Sequence, residues 1–417
     1  MVTVPFVLPA LLADPAPSQR PLALRNGTVF DGTGAQPHEG DVFIADGRIH
    51  VDNPSGEVTD LDLEGSFVMP GLIDVHTHLS LQPELKLSEG MEKLRPEVNG
   101  HLVGGLLRRA LRMGITTVRD VGAWGDQILG IRQAVRYGAF LAPRILACGR
   151  IVSATSPGGR HFEGMYREAD GPDEMRKAAR EQIRRGADFV KIMMTGARSV
   201  EYENPGPSQV TREEVAALVD EAHRQGYRVA AHCEGLDGTI LAIEEGVDTI
   251  EHGFYLNQMP EHLTRMAESG QTLVPTLSFL LDVVTGRHGS WSPALVERGT
   301  FNVEEANKTL EAAVTAGVDI AMGFDSTPEE NAASELVAMV AAGMSALSAL
   351  VAATSAGARA LGLDERIGRI GEGMSADLLV IDGNPMEDIS VLTVPERVRL
   401  VIRAGHIAHA TPGLLAT

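Results

Sequence analysis

Eight short strand-like runs, most of them separated by helix-like stretches, limit this chain to very few architectures. They are 71–78, 115–122, 144–149, 188–196, 228–234, 249–253, 272–277 and 319–326. A run of this length with no polar alternation reads as a strand buried on both faces. Between them lie helix signals. Thr211-Arg212-Glu213-Glu214 is a capping box that opens a helix toward Gly226. Gly171-Pro172 breaks the chain, and Asp173 is expected to cap a helix that runs to Gly186. Alternating strand and helix across 70–375 argues for an α/β fold, a (β/α)8 TIM barrel rather than a doubly wound sheet.

The two ends of the chain read differently. Residues 21–69 and 376–417 hold short strand-like segments, with hairpin turns expected at Asp46-Gly47 and Ala404-Gly405. Together they predict a small β-sandwich domain built from both termini. Residues 1–20 are expected to form an N-terminal arm. No Lys or Arg precedes the apolar stretch from Val2 to Leu12, which argues against a secretory signal.

Barrels of this kind do their chemistry at the C-terminal ends of their strands. At or near those ends lie His76, His78, Lys191, His232, His252 and Asp325. Each alone has an ordinary role. A lysine in an apolar run often marks an edge strand, a lone histidine is commonly a core residue, and a strand-end aspartate often caps a helix. Six such residues in strand order are not explained that way. His76 and His78 are two apart, so along a strand they point to one side, and imidazole is the commonest protein ligand for a transition metal.

Composition sets outer limits. The 417 residues carry a net charge of −20, so the chain has no footprint for nucleic acid or an anionic membrane. A hydrophobic fraction of 44% fits a globular protein, and no run reaches the roughly eighteen apolar residues of a membrane span. Only Cys148 and Cys233 are present, too few for a disulfide framework, and a reducing cytoplasm is the expected location. Cys233 should point to the opposite side of its strand from His232.

With these residues in view, the chain resembles the amidohydrolase superfamily over nearly its whole length. The likeness is carried by Met69-Pro70-Gly71-Leu72-Ile73-Asp74-Val75-His76-Thr77-His78, by Gly114 to Asp120, by Ile250-Glu251-His252-Gly253 and by the closing Gly368-Arg369-Ile370 with Gly373 to Leu378. Gly235 after His232, Val274-Pro275-Thr276-Leu277 and Ile381 to Pro385 resemble the imidazolonepropionase-related, prolidase-like branch. One departure is Phe324, where relatives often carry Thr before the aspartate.

The resemblance implies two divalent metal ions, zinc first, with manganese or cobalt as alternatives. His76, His78 and Asp325 would hold one, His232 and His252 the other, and a carbon dioxide-derived carbamate on Lys191 would bridge them. It implies that a metal-bridged hydroxide attacks a carbonyl, with Asp325 as the acid/base that carries the proton to the leaving nitrogen. Substrate contacts are expected from loops. In the stretch Ser156-Pro157-Gly158-Gly159-Arg160-His161, Arg160 is inserted before His161, and both are candidates. Arg198 and Tyr255 are two more, and Trp124 could wall the pocket. The expected activity is hydrolysis of an amide bond in a dipeptide or N-acyl amino acid. Alternatives are a cyclic amide, carbamate, urea or ester hydrolase, or a non-catalytic scaffold. The expected partner is a small-molecule substrate, with the chain a homo-oligomer.

Overall fold

The computed structural model describes residues 7–8, 20–81, 94–286, 292–326 and 332–415. Most of the N-terminal arm therefore lies outside the described residues.

Eight parallel strands follow one another as the apolar runs predict. They are Leu72–Thr77, Ile115–Asp120, Arg144–Ala147, Val190–Met193, Val229–Cys233, Thr249–His252, Thr272–Val274 and Asp319–Ile320. The first three pair in order, as do the last five. The third and fourth strands meet where the Asp188 N–H donates to the Ala147 carbonyl at 2.8 Å. The segment after the eighth returns to the first. Val75 N–H donates to the Met322 carbonyl at 2.9 Å, and Asp325 N–H to the His76 carbonyl at 2.7 Å. Gly323 makes this approach feasible, since a Cβ there would lie 2.6 Å from the Cβ of His76.

Two short strands were not foreseen. Ile151–Ser153 extends the third strand after a break and pairs with Tyr166–Glu168 and with the fourth barrel strand. Three-residue strands carry too little pattern to be read from sequence.

The capping box forms. The Thr211 side chain accepts from Glu214 N–H, and the Glu214 carboxylate accepts from Thr211 N–H, opening the helix Arg212–Arg224. Asp173 is not the cap expected of it. The helix Pro172–Arg185 starts with Gly171 at its cap and Pro172 at its first position, which leaves Asp173 inside the first turn. A proline at that position is already set to helical φ and lacks the N–H a cap would satisfy.

The terminal strands join one eight-stranded sheet. Its central pairing is antiparallel between Phe67–Pro70 and Leu378–Ile381, which links the two ends of the sequence. Both hairpin turns take left-handed conformations, with φ of 50° and 75° at Asp46-Gly47 and 50° and 81° at Ala404-Gly405. Side-chain alternation shows how this sheet meets the barrel. Val68, Leu378, Val380, Leu400 and Ile402 face an inner core of the terminal sheet, whereas Phe67, Met69, Leu379, Ile381 and Val401 join the main core around the barrel. A buried ion pair adds to this contact, with Arg144 Nη1 2.8 Å from Asp377 Oδ2.

At the barrel's base, Leu8 packs against a cluster that includes Ile73, Val75, Phe189 and Ala230. Both cysteines are buried free thiols. No described helix is long and apolar enough to cross a membrane.

Candidate active site

The C-terminal strand ends bring five of the predicted residues into direct contact in two groups. In the first, His76 Nε2 lies 3.1 Å and His78 Nε2 3.5 Å from Asp325 Oδ1. In the second, His252 Nε2 lies 2.9 Å from His232 Nδ1. The groups adjoin, with the rings of His76 and His252 centred 5.1 Å apart. Lys191, on the fourth strand, is 2% exposed, and its Nζ has no hydrogen-bond partner. An orphaned amine in such a place is costly unless the chemistry of the site accounts for it.

The rings are aimed from behind. His76 Nδ1 lies 2.6 Å from Glu251 Oε2, which turns Nε2 toward Asp325. Glu251 in turn accepts from Arg119 Nη2 at 2.7 Å and from the Thr249 hydroxyl at 2.5 Å. His78 Nδ1 lies 3.2 Å from the Gly122 carbonyl, and His252 Nδ1 lies 2.8 Å from the Thr276 hydroxyl. Asp74 Oδ1 accepts from the backbone N–H groups of His76 and Phe324, both at 3.1 Å, and so clamps the first strand to the eighth.

The backbone is strained where the ligand-type residues sit. His252, Tyr255, Thr276 and Asp325 have φ of 68°, 72°, 51° and 58°. Non-glycine residues seldom adopt this left-handed region, and such strain clusters at functional sites.

Electrostatics prepares the donors. Burial lowers the Lys191 pKa, favouring the neutral amine. Burial and then the neighbouring His232 push the His252 imidazolium well down, so that this ring is neutral. Burial alone would raise the Asp325 carboxyl, but the adjoining His76 and His78 draw it well below the usual range. The Glu251 carboxyl behaves alike, burial being outweighed chiefly by Arg119 and by the hydrogen bond from His76. Imidazoles, anionic carboxylates and a neutral lysine form a nitrogen and oxygen donor set that suits divalent ions. No thiol joins it, for Cys233 faces Thr239 on the outer side of its strand.

Of the substrate-contact candidates, Arg198 lies deepest. It is 5% exposed, with Nη1 3.2 Å from Glu234 Oε1 and Nη2 3.5 Å from Asp325 Oδ2. Tyr255 is half-buried and donates its hydroxyl to Asn302 Oδ1 at 2.5 Å. His161 is half-buried, its ring against Phe162 and Tyr202. Arg160 is exposed on the last turn of the same short helix, Pro157–His161. Trp124 donates to the Glu163 carbonyl at 3.0 Å and packs with the Phe162 and Tyr166 cluster.

Sequence reasoning passed over Glu234. It is 4% exposed, and its Oε1 lies 3.3 Å from His232 Nε2. A signal was available, since Glu234 stands two residues after His232, as His78 does after His76. It also passed over the supporting roles of Glu251, Arg119 and Thr276, which depend on pairings across strands.

Residues 67–408 match the model of the amidohydrolase family. The chain belongs to that family. It is 30% identical to ochratoxinase of Aspergillus niger over 370 residues, 82% of this chain and 75% of that protein. It is 26% identical to imidazolonepropionase of Aeromonas hydrophila over 422 residues, 90% of this chain and 92% of that one. Among solved structures it is similar to a Xaa-Pro dipeptidase with methionine bound in its active site, with a TM-score of 0.81 and 29% identity over 93% of this chain and 99% of that one. The prolidase-like and imidazolonepropionase-like branch read from the motifs is thus the right one, and the chain is a hydrolase acting on carbon–nitrogen bonds.

Proposed function

We propose that this amidohydrolase depends on two divalent ions, zinc in the first instance, and cleaves the amide bond of a dipeptide or an N-acyl amino acid. His76, His78 and Asp325 would hold one ion, and His232 and His252 the other. Lys191 would bridge them as a carbamate. Its neutral amine attacks the carbon of carbon dioxide, an N–C bond forms and one proton is released. The product is an anion with two oxygens, in place of a cation.

Bound ions supply a water acidified toward neutrality and a polarised substrate carbonyl. The remaining work falls to side chains. Asp325 accepts the proton of the attacking water and returns it to the departing nitrogen. Its Oδ1 faces His76 and His78, and its Oδ2 faces Arg198. Glu251 keeps the proton of His76 on Nδ1, so that Nε2 stays a lone-pair donor. Arg198, Tyr255, His161 and Arg160 would meet the rest of the substrate. We further propose a cytoplasmic homo-oligomer whose barrel spans 70–375, with residues 21–69 and 376–417 forming the terminal β domain.

The observation that carries this reading is Lys191, a buried amine with no hydrogen-bond partner, on the strand that pairs with that of His232. The test pairs elemental analysis of protein purified without chelator with a panel of dipeptides, N-acyl amino acids and cyclic amides. About two metal equivalents per chain and turnover of the linear amides are expected. Metal content near zero after reconstitution would refute the binuclear site, and turnover of cyclic amides alone would reassign the substrate.

A further inference from the structure

We infer that Glu234 is a third side-chain ligand of the half-site formed by His232 and His252. The inference rests on the proposal that divalent ions occupy this end of the barrel. It adds to that set a carboxylate that neither the motifs nor the related proteins' names assign.

The argument begins with the strand. Val229–Cys233 ends with His232 pointing inward, and Glu234 follows two residues on. His76 and His78 stand in the same relation on the first strand. Donor atoms of His232, Glu234 and His252 lie within 4.8 Å of one another, as do those of His76, His78 and Asp325. The barrel mouth therefore holds two like sets, each of two imidazoles and one carboxylate. That composition serves a divalent transition metal.

Glu234 is also built in as a ligand should be. Both of its oxygens accept from the Arg198 backbone N–H, at 3.2 and 3.1 Å. The Glu234 N–H donates to the Thr195 hydroxyl at 3.0 Å. The Arg198 side chain beside it lies over the rings of Phe254 and Phe279, 5.1 and 5.3 Å from their centroids. Metal-binding carboxylates are characteristically held by such outer partners.

The plainer role for Glu234 is to neutralise Arg198. Against it, the Arg198 Nε and Nη1 atoms are buried without a hydrogen-bond partner. The guanidinium at 3.2 Å thus makes no well-aligned bond to the carboxylate, which is oriented by backbone instead. Asp325 is a second anion within 3.5 Å of the same guanidinium. Each half-site then has a carboxylate of its own, beside the charge that a Lys191 carbamate would share between them.

The test loads the chelator-stripped, full-length protein with Co2+ and follows bound cobalt per chain and its visible absorption. In Glu234→Gln the second equivalent should bind at least 10-fold more weakly, with an altered spectrum, while the first is unchanged. If Glu234→Gln alone does not fold, Glu234→Gln combined with Arg198→Met, which leaves neither charge buried alone, reads the same loss. Two equivalents bound with wild-type affinity and spectrum in either variant would overturn the inference. A wild-type chain that takes up no cobalt would overturn the metal reading as well, and that result appears before any substitution is compared.

Discussion

Glu251 holds His76 across the barrel, from the sixth strand to the first, with 2.6 Å between Oε2 and Nδ1. Arg119 and Thr249 fix the other oxygen of the same carboxylate. In Glu251→Gln the amide fills the space but no longer holds the ring's proton on Nδ1 with a full charge. Metal affinity or turnover should fall by about 10- to 100-fold, the usual effect of losing an outer partner of a ligating histidine. Metal titration beside steady-state kinetics checks this, and wild-type values in both would show the contact to be merely structural.

Lys191→Ala should lose most of its activity and bind metal less tightly. Because a carbamate contributes only oxygens, formate or acetate should restore part of the rate. The readout is turnover against added acid at fixed metal. Full activity with no acid present would mark Lys191 as an ordinary core residue.

Asp325→Asn separates holding metal from moving a proton. An amide oxygen can still coordinate, so the variant should retain metal when saturated. Its kcat should nevertheless drop by about 10²-fold or more, the scale of general acid–base catalysis. Near wild-type kcat at verified full occupancy would move the proton shuttle elsewhere, with His161 the next candidate.

Glu335 gives a pH prediction from a carboxyl that is not itself one of the proposed ligands. Its carboxyl accepts from the N–H groups of Leu277 and Ser278 and from the Ser278 hydroxyl, at 2.5–2.8 Å. Burial pushes its pKa up to about 7. Between the unfolded value, about 4.3, and about 7 the folded state binds the extra proton, so stability falls as pH rises. One proton amounts to about 1.4 kcal/mol per pH unit at most. Glu335→Gln removes this slope whatever its effect on absolute stability. Denaturant melts at pH 5, 6 and 7 should therefore decline less steeply in the variant. Parallel declines would show that Glu335 does not titrate in this window.

The barrel strands were legible because most of their residues are enclosed, which leaves largely apolar runs such as Val229-Ala230-Ala231. The ligand-type residues stood out against those runs. Glu234 did not, because a glutamate at the last position of a strand-like run reads as solvated surface until the fold closes over it. The left-handed backbone at His252 and Asp325 was equally hidden, since no residue type at those positions announces it. Ile151–Ser153 was too short to show a period, and the placing of Asp173 turned on which residue occupied the first helical position.

The return of the eighth strand to the first has a consequence for the order of assembly. Phe324 N–H reaches Asp74 across 250 residues of sequence, and Asp325 N–H reaches the His76 carbonyl beside it. His232, Glu234 and His252, by contrast, come from neighbouring strands. During synthesis the second set is complete long before Asp325 leaves the ribosome. The first set exists only once the barrel has closed on itself. An ion captured there would serve as a latch on the finished ring, making its release an early sign that the ring has opened.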